Sequence, residues 1–289
     1  TDVMTFIDSL QASSELFITI CAILGITVGS FLNVVIYRLP KMMQLAWHQQ
    51  CAELNGEPAK LLPVFNLVTP RSNCTQCGHK IKIFENIPLI SYLFLKGRCS
   101  KCHERISIRY PIVELLTGLM SGFAAWYYGY SFMCFAALFF IWAMIALTFI
   151  DFDTQLLPDV ITLPLLWIGF LINLNNGIID LQSAVVGAMV GYLALWVVYW
   201  IFKLTTGKEG MGYGDFKLLA AIGAWLGWQS LPLVILSSSF VGGLVGIFLI
   251  YFRNQHSGLA IPFGPYLAGG GLIAMFWGKQ INHIYLSLF

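Results

Sequence analysis

Gly210-Met211-Gly212-Tyr213-Gly214-Asp215-Phe216-Lys217 is a glycine-rich turn ending in a carboxylate, and an apolar run follows it at once. A second carboxylate, Asp151, closes another apolar run 64 positions earlier. The surrounding chain is 58% hydrophobic and 10% charged, with a mean hydropathy of +0.76. Soluble domains carry about 25% charged residues, so the composition describes an all-α polytopic membrane protein. A charge at mid-bilayer costs roughly 2.5–3.5 kcal/mol on insertion scales and less near an interface, which makes acids at the ends of membrane-length segments candidates for function.

Outward from the glycine turn, apolar runs fall near 16–36, 112–130, 131–150, 158–175, 183–203, 216–229, 232–252 and 260–278. At about 20 residues per crossing, they are read as about eight transmembrane helices. The run at 216–229 is short, and it reaches across only with little tilt or with its start inside the membrane surface. Gly25, Gly29 and Ser30 in the first run have the small-residue spacing of close helix packing, although ordinary membrane-helix composition accounts for them equally well. Asn33, near the end of that run, is expected to face protein. No Lys or Arg precedes Arg38, so the first run is expected to be a retained helix and not a cleaved signal.

Arg38 to Arg109 differs in kind. It holds 11 of the 16 Lys and Arg residues and no segment apolar enough to span. It reads as a soluble insert of a size that needs a metal or other staple, with Trp47 to Pro70 weakly patterned and partly irregular. The expected domains are therefore a first transmembrane helix over 1–37, an insert over 38–110 and a seven-helix membrane domain over 111–289. With the insert in the cytoplasm and alternating crossings, 15 of the 16 basic residues fall inside and only Lys279 outside, as the positive-inside rule favours. Asp151 and Asp215 then share the cytoplasmic side. The net charge of +2 offers no basic field for nucleic acid.

The insert contains Cys74-Thr-Gln-Cys77 and Cys99-Ser-Lys-Cys102, two CxxC units separated by 21 residues. Such a pair presents four thiolates to one tetrahedral ion, and the spacing points to zinc. Gly78 suits the tight turn after the first pair. Disulfides are disfavoured in a reducing cytoplasm. Cys99–His103 also reads CxxCH, the haem-attachment pattern, but the second CxxC argues against it. His79 and His103 could each replace a thiolate, although surface histidines are the simpler reading. Cys21 and Cys134 read as fillers of apolar helices, and Cys51 as a lone thiol.

Taken singly, each acid has a structural explanation. Asp215 could cap the helix that follows it, Asp151 and Asp153 could be solvated at a helix end, and Asp159 after Pro158 could cap the next helix. Together, Asp151 and Asp215 suggest more. Two carboxylates a few ångströms apart share one proton, and the ionised member can activate water; a helix N-terminus favours the charge on Asp215. Spacing alone does not bring the two together.

Gly212-Tyr213-Gly214-Asp215 has the GxGD pattern of intramembrane aspartyl proteases. Gly29-Ser-Phe-Leu-Asn-Val-Val-Ile-Tyr-Arg-Leu-Pro40, the four cysteines, Arg109-Tyr-Pro-Ile-Val-Glu114 and Asp151-Phe-Asp-Thr-Gln-Leu-Leu-Pro-Asp159 complete a set that resembles the type IV prepilin peptidase family. The resemblance runs from about residue 25 to 270. It implies a bacterial inner-membrane enzyme that cuts the leader from type IV prepilins and type II secretion pseudopilins at the cytoplasmic face, with Asp151 and Asp215 as catalytic pair. It further implies N-methylation of the new amino terminus with S-adenosylmethionine, a reaction to which Gly97 is tied. Shorter relatives lack the cysteine insert, so its presence here implies the bifunctional form. No GxGxxG turn marks a methyl-donor site, and Thr206-Gly207-Lys208 is not a P-loop. A proton-coupled transporter would also use paired membrane acids, but the halves show no inverted repeat. A non-enzymatic assembly protein would tolerate loss of either aspartate.

Overall fold

The structure, a computed structural model, describes residues 11–56, 64–74, 76–175, 177–253 and 262–286. Among them the chain is helical, with two isolated β-bridges and no strand. It divides into two compact units, Thr1–Cys134 and Phe135–Phe289. The sequence partition at residues 37 and 110 follows composition, whereas this one follows contacts.

In the first unit, α1 runs from Ser14 to Leu54. The Ser13 hydroxyl caps it by accepting from the Leu16 N–H at 3.4 Å. Gly25 and Gly29 lie against α3 (Arg109–Tyr128), so closely that a Cβ on Gly29 would stand 2.8 Å from the Glu114 Cα. The small residues are therefore used for helix approach. Asn33 is buried and donates to the Tyr110 carbonyl at 3.0 Å.

The helix does not stop where the sequence places the start of the soluble insert. It passes through Pro40 and continues to Leu54, so of the stretch Trp47 to Pro70, expected to be partly irregular, the first eight residues are helical and Val64 to Pro70 is without regular structure; residues 57–63 lie outside the described residues. Lys41–Leu54 contains no Gly, Pro or β-branched residue, and its Met, Gln, Leu, Ala and Glu are strong helix formers. Periodicity is weak there because the stretch is mostly exposed and buries no stripe. Asn55-Gly56 ends it: the Asn55 N–H donates to the Cys51 carbonyl, and Gly56 takes a φ of +69°. Arg38 is buried in this helix. Its guanidinium donates to the carbonyls of Asn66 (2.9 Å), Leu67 (3.4 Å) and Pro70 (2.6 Å), which fastens the following loop to α1.

The second unit contains α4 from its fourth residue on (Phe132–Thr154), then α5 (Asp159–Asn173), α6 (Leu181–Thr206), α7 (Tyr213–Leu226), α8 (Leu231–Arg253) and α9 (Gly264–Leu286). Its organising element is α7. At 14 residues, or about 21 Å, it is shorter than the roughly 30 Å hydrocarbon layer, and its neighbours explain how it can be. Gly187 and Gly191 of α6 touch its backbone at Gly223 and Leu219. Trp225 donates from Nε1 to the Leu165 carbonyl of α5 at 2.7 Å and meets Phe140 of α4 at a ring-centroid distance of 5.0 Å. Gly271 of α9 rests on Ile222. The helix is enclosed by protein, and Phe216, Leu218, Leu219, Ile222 and Trp225 are fully buried.

Asn173, at the end of α5, locks α7 in place. Its Nδ2 donates to the carbonyls of Ala224 (2.9 Å) and Trp225 (3.2 Å), and its Oδ1 accepts from the amides of Ile178 (2.9 Å) and Ile179 (3.1 Å). Removing a buried partner costs about 1–3 kcal/mol for each group left unsatisfied. Asn173→Ala is therefore expected to lower stability by about 3 kcal/mol or more, read as a fall in the midpoint of thermal unfolding in detergent. An unchanged midpoint would mean that the four bonds are not made.

Among the described residues, four segments are long and apolar enough to cross a membrane: Ser14–Leu54, Phe132–Thr154, Leu181–Thr206 and Trp228–Leu249. The protein is a multi-span, all-helical membrane protein.

Candidate active site and metal centre

Asp151 and Asp215 both lie in the second unit and are both buried, with exposures of 4% and 7%. Asp151 stands in the last turn of α4, where the chain turns out through Gln155 at a φ of +53°. Asp215 stands in the first turn of α7. Gly212 is the N-cap of that helix, so Asp215 is its third residue and not the cap that the local pattern allowed. Its carboxyl reaches back to the Gly212 amide, and it is near enough to Asp151 for the charge of one to act directly on the other.

The backbone around the two carboxyls is thin. Gly214 packs on Leu157, in the link between α4 and α5: a Cβ at 214 would stand 2.8 Å from the Leu157 Cβ. Leu157 in turn touches Gly264, the first residue of α9, whose N–H donates to Asp151 Oδ2 at 3.0 Å. Gly212 has open space instead: a Cβ there would come no nearer than 4.0 Å to Asp215 Oδ2, in front of the carboxyl. The two glycines of the GxGD turn thus differ: Gly214 lies against Leu157, and Gly212 faces open space. Asp159 is in the first turn of α5 behind Pro158, and both its oxygens take the Lys217 ammonium at 2.7 Å, which ties α5 to α7 beside the pair. Asp153 is exposed.

Sequence reasoning missed Gly264 and Lys217 as parts of this site. The signal for Gly264 was Phe263-Gly264-Pro265, a helix start with Pro inside the first turn, but nothing local says that its N–H meets Asp151. The sequence pattern marks Lys217 only as one more basic residue on the inner side.

The four cysteines of the insert converge in the first unit. Their sulfurs all lie within 4.8 Å of one another, with Cys74 to Cys102 at 3.8 Å and Cys77 to Cys99 at 4.0 Å. Zn–S bonds of about 2.3 Å in a tetrahedron place sulfurs about 3.8 Å apart, whereas a disulfide needs about 2.05 Å. The donor set fits a tetrahedral thiophilic metal. The two turns repeat each other. Gly78 donates its N–H to the Cys74 carbonyl at 3.0 Å, and His103 to the Cys99 carbonyl at 3.0 Å; each is followed by a carbonyl that accepts the first cysteine's amide. Gly78 has a φ of +67° and His103 of +56°, so His103 occupies a left-handed turn position, which histidine enters more readily than most residues. This accounts for the CxxCH pattern without haem. His79 Nε2 instead lies 3.3 Å from Glu85 Oε2, and both side chains are half-buried. The amides of Cys77 and Gln76 pull the Cys74 thiol down to about 6, toward the thiolate that a metal binds. The Lys82 amide, then the Ser100 hydroxyl and His79, hold Glu85 down at about 2.

Gly97 sits between the short α2 (Ile90–Phe94) and the second cysteine pair, at a φ of +66°. Its N–H donates to the Tyr92 carbonyl at 2.8 Å, and a Cβ added to it would stand 2.9 Å from both Cζ and Oη of the Tyr92 ring. Glu114 of α3 is buried and accepts from the Leu89 N–H at 2.8 Å, which joins the insert to the helix pair.

Comparison with known proteins agrees with this division. Residues 23–128 match the bacterial peptidase A24 N-terminal domain, and residues 138–247 match the type IV leader peptidase family. Proteins named prepilin leader peptidase/N-methyltransferase are similar along nearly their whole length. That of Pseudomonas aeruginosa is 52% identical over 285 residues, 98% of each chain. That of Aeromonas hydrophila is 53% identical over 276 residues, 95% of each chain. That of Legionella pneumophila is 47% identical over 269 residues, 93% of this chain and 94% of its own. No solved structure matches the chain. Identity at this level, over both the cysteine-bearing and the aspartate-bearing parts, places the chain in the type IV leader peptidase family.

Proposed function

We propose that this protein is a bifunctional membrane enzyme. It cleaves the leader of type IV prepilins and type II secretion pseudopilins with Asp151 and Asp215, and then N-methylates the new amino terminus with S-adenosylmethionine. The observation that carries the peptidase is the burial of two acids, 64 residues apart, on either side of Leu157: Gly214, beside Asp215, packs on it, and Gly264, which donates to Asp151, touches it.

The pair holds one proton between its two carboxyls, because two charges close together in a buried site repel strongly. The ionised carboxylate draws a proton from water as that water attacks the scissile carbonyl, and the protonated one donates to the carbonyl oxygen. The tetrahedral species then collapses with return of a proton to the departing amine. The Gly264 N–H fixes Asp151 at Oδ2, and the open space before Gly212 admits a substrate strand. Gly264→Ala would press a methyl against Asp151 Oδ2, 2.7 Å away before relaxation. Cleavage is expected to fall roughly 10²-fold, as misplacement of a catalytic group by about 1 Å does, with expression unchanged. A kcat within twofold of the parent would remove Gly264 from the site.

Cys74, Cys77, Cys99 and Cys102 would hold zinc, which when bound cross-links the insert. Gly97 belongs to the methylation half. S-adenosylmethionine when bound supplies an electrophilic methyl group, and the protein's task is to hold the freed amine neutral and in line with it. The basic residues gathered in the insert support a cytoplasmic orientation in a bacterial inner membrane, with α1 and α3–α9 as eight crossings in lipid. The decisive experiment incubates detergent-purified protein with a prepilin and S-adenosylmethionine and weighs the products. Loss of the leader plus gain of one methyl group supports both activities; an unchanged prepilin mass overturns the enzymatic reading. Replacing Gly97 is expected to abolish the methyl gain and leave leader loss in place.

A further inference from the structure

The first unit contains a cavity of about 430 Å³ between the insert, α1 and α3, within the size range of small-molecule sites. It lies beside the cysteine cluster, with Cys74 and Cys99 on its wall, and the aspartate pair is not part of it. Three tyrosines, Tyr37, Tyr92 and Tyr110, and three carboxylates, Glu85, Glu104 and Glu114, line it. Of the two arginines on the wall, Arg38 has its guanidinium engaged by loop carbonyls. Arg105 and His79 are on the wall as well, with His79 against Glu85, so the lining offers aromatic faces together with charges of both signs. Its complement is a ligand that carries a flat heterocycle, a diol, and both a cationic group and a carboxylate: aromatic faces take a cation or a stacked base, carboxylates accept from hydroxyls and ammonium, and a guanidinium holds a carboxylate.

Gly97 is not on the wall, but Tyr92 is. A Cβ at 97 would drive into the end of the Tyr92 ring, and the Gly97 N–H already anchors the Tyr92 carbonyl. The three atoms nearest that added carbon all belong to this ring, so a side chain at 97 is transmitted to the cavity through Tyr92.

We propose that this cavity binds S-adenosylmethionine, and that Gly97 serves methyl transfer by leaving room for the Tyr92 ring that forms one of its walls. This rests on the methyltransferase reading above and adds to it a place and a positioning residue. Tyr92 and Glu104 contact the donor, whereas Gly97 acts only through Tyr92.

The test is direct binding of radiolabelled S-adenosylmethionine, and separately of S-adenosylhomocysteine, to the full-length protein in detergent. Tyr92→Phe keeps the ring and is expected to bind within about twofold of the parent. Tyr92→Ala is expected to weaken binding roughly tenfold or more, as loss of an aromatic wall does, and Gly97→Ala by a similar factor. The double variant Gly97→Ala/Tyr92→Ala should bind no worse than about twofold below Tyr92→Ala, because coupled sites are non-additive. Glu104→Lys, on an exposed side chain that can change without loss of fold, should weaken the sulfonium ligand by roughly fivefold or more and the uncharged-sulfur ligand less. Monodisperse elution and the thermal midpoint serve as folding readouts. If the parent protein binds neither ligand, the methyltransferase reading falls, and this proposal with it. If the parent binds but Tyr92→Ala and Glu104→Lys bind equally well, the cavity is not the site. Full additivity in the double variant would show that Gly97 does not act through Tyr92.

Discussion

Asp151→Asn and Asp215→Asn are each expected to reduce prepilin cleavage by roughly three orders of magnitude or more, with expression, helix content and metal content unchanged. The substitution keeps side-chain size and removes the ability to hold or give a proton. General acid–base participation alone is worth about 10²–10⁴-fold, and residues that act as a unit lose nearly everything when either is removed. The double variant should therefore be little worse than either single one. Stability should hold or rise slightly, since each change removes a buried acid from a site where its partner's charge acts on it. Single-turnover cleavage of a purified prepilin reads the rate, and the thermal midpoint reads the fold. Substantial cleavage by a well-expressed Asp215→Asn protein would end the dyad reading. A loss confined to one of the two variants would point to a single catalytic acid with the other in a structural role, as their positions at two helix ends would also permit.

Cys74→Ser with Cys77→Ser, or prolonged treatment with a strong chelator, is expected to empty the metal centre and unfold the insert. The apparent free energy of structural zinc binding is about 10–16 kcal/mol at neutral pH, comparable with or larger than the roughly 5–15 kcal/mol that holds a whole domain. The insert has little to replace it. Among the described residues between Val64 and Ser107 its regular structure is one short 3₁₀ turn, one five-residue helix and two isolated bridges. Protease sites near residues 76–106 should become rapidly cut, and methylation should disappear. Native mass spectrometry of the parent should show one bound ion, most simply zinc given four sulfur donors. Intact protein that carries no metal, or a disulfide between any two of the four cysteines, would overturn the assignment. Acidification should act in the same direction as chelation, because protons compete with metal for the thiolates.

Much of the protein was legible in the order of its residues. Runs of apolar side chains against few charges specify a membrane protein because lipid forces backbone groups into helices whatever the partners are. The cysteine turns were legible because a metal knuckle is local: Gly78 and His103 each lie directly after their CxxC and close the same hydrogen bond. The end of α1 at Asn55-Gly56 has a local cause as well, although the helix before it was missed. Pattern reading depends on a buried stripe, and Lys41–Leu54 has none.

Tertiary structure alone decided the contacts on which the site depends. Helices in lipid are apolar on every face, so periodicity does not reveal which face meets protein. For that reason the enclosure of α7, the amide of Gly264 beneath Asp151, the Lys217–Asp159 pair and the four bonds of Asn173 could not be read from spacing. The sequence alone marked Asp151 and Asp215 as costly residues that call for a purpose. The fold buries both, because glycines at 187 and 191 let α6 close on α7, and glycines at 214 and 264 let the backbone beside each acid close on Leu157.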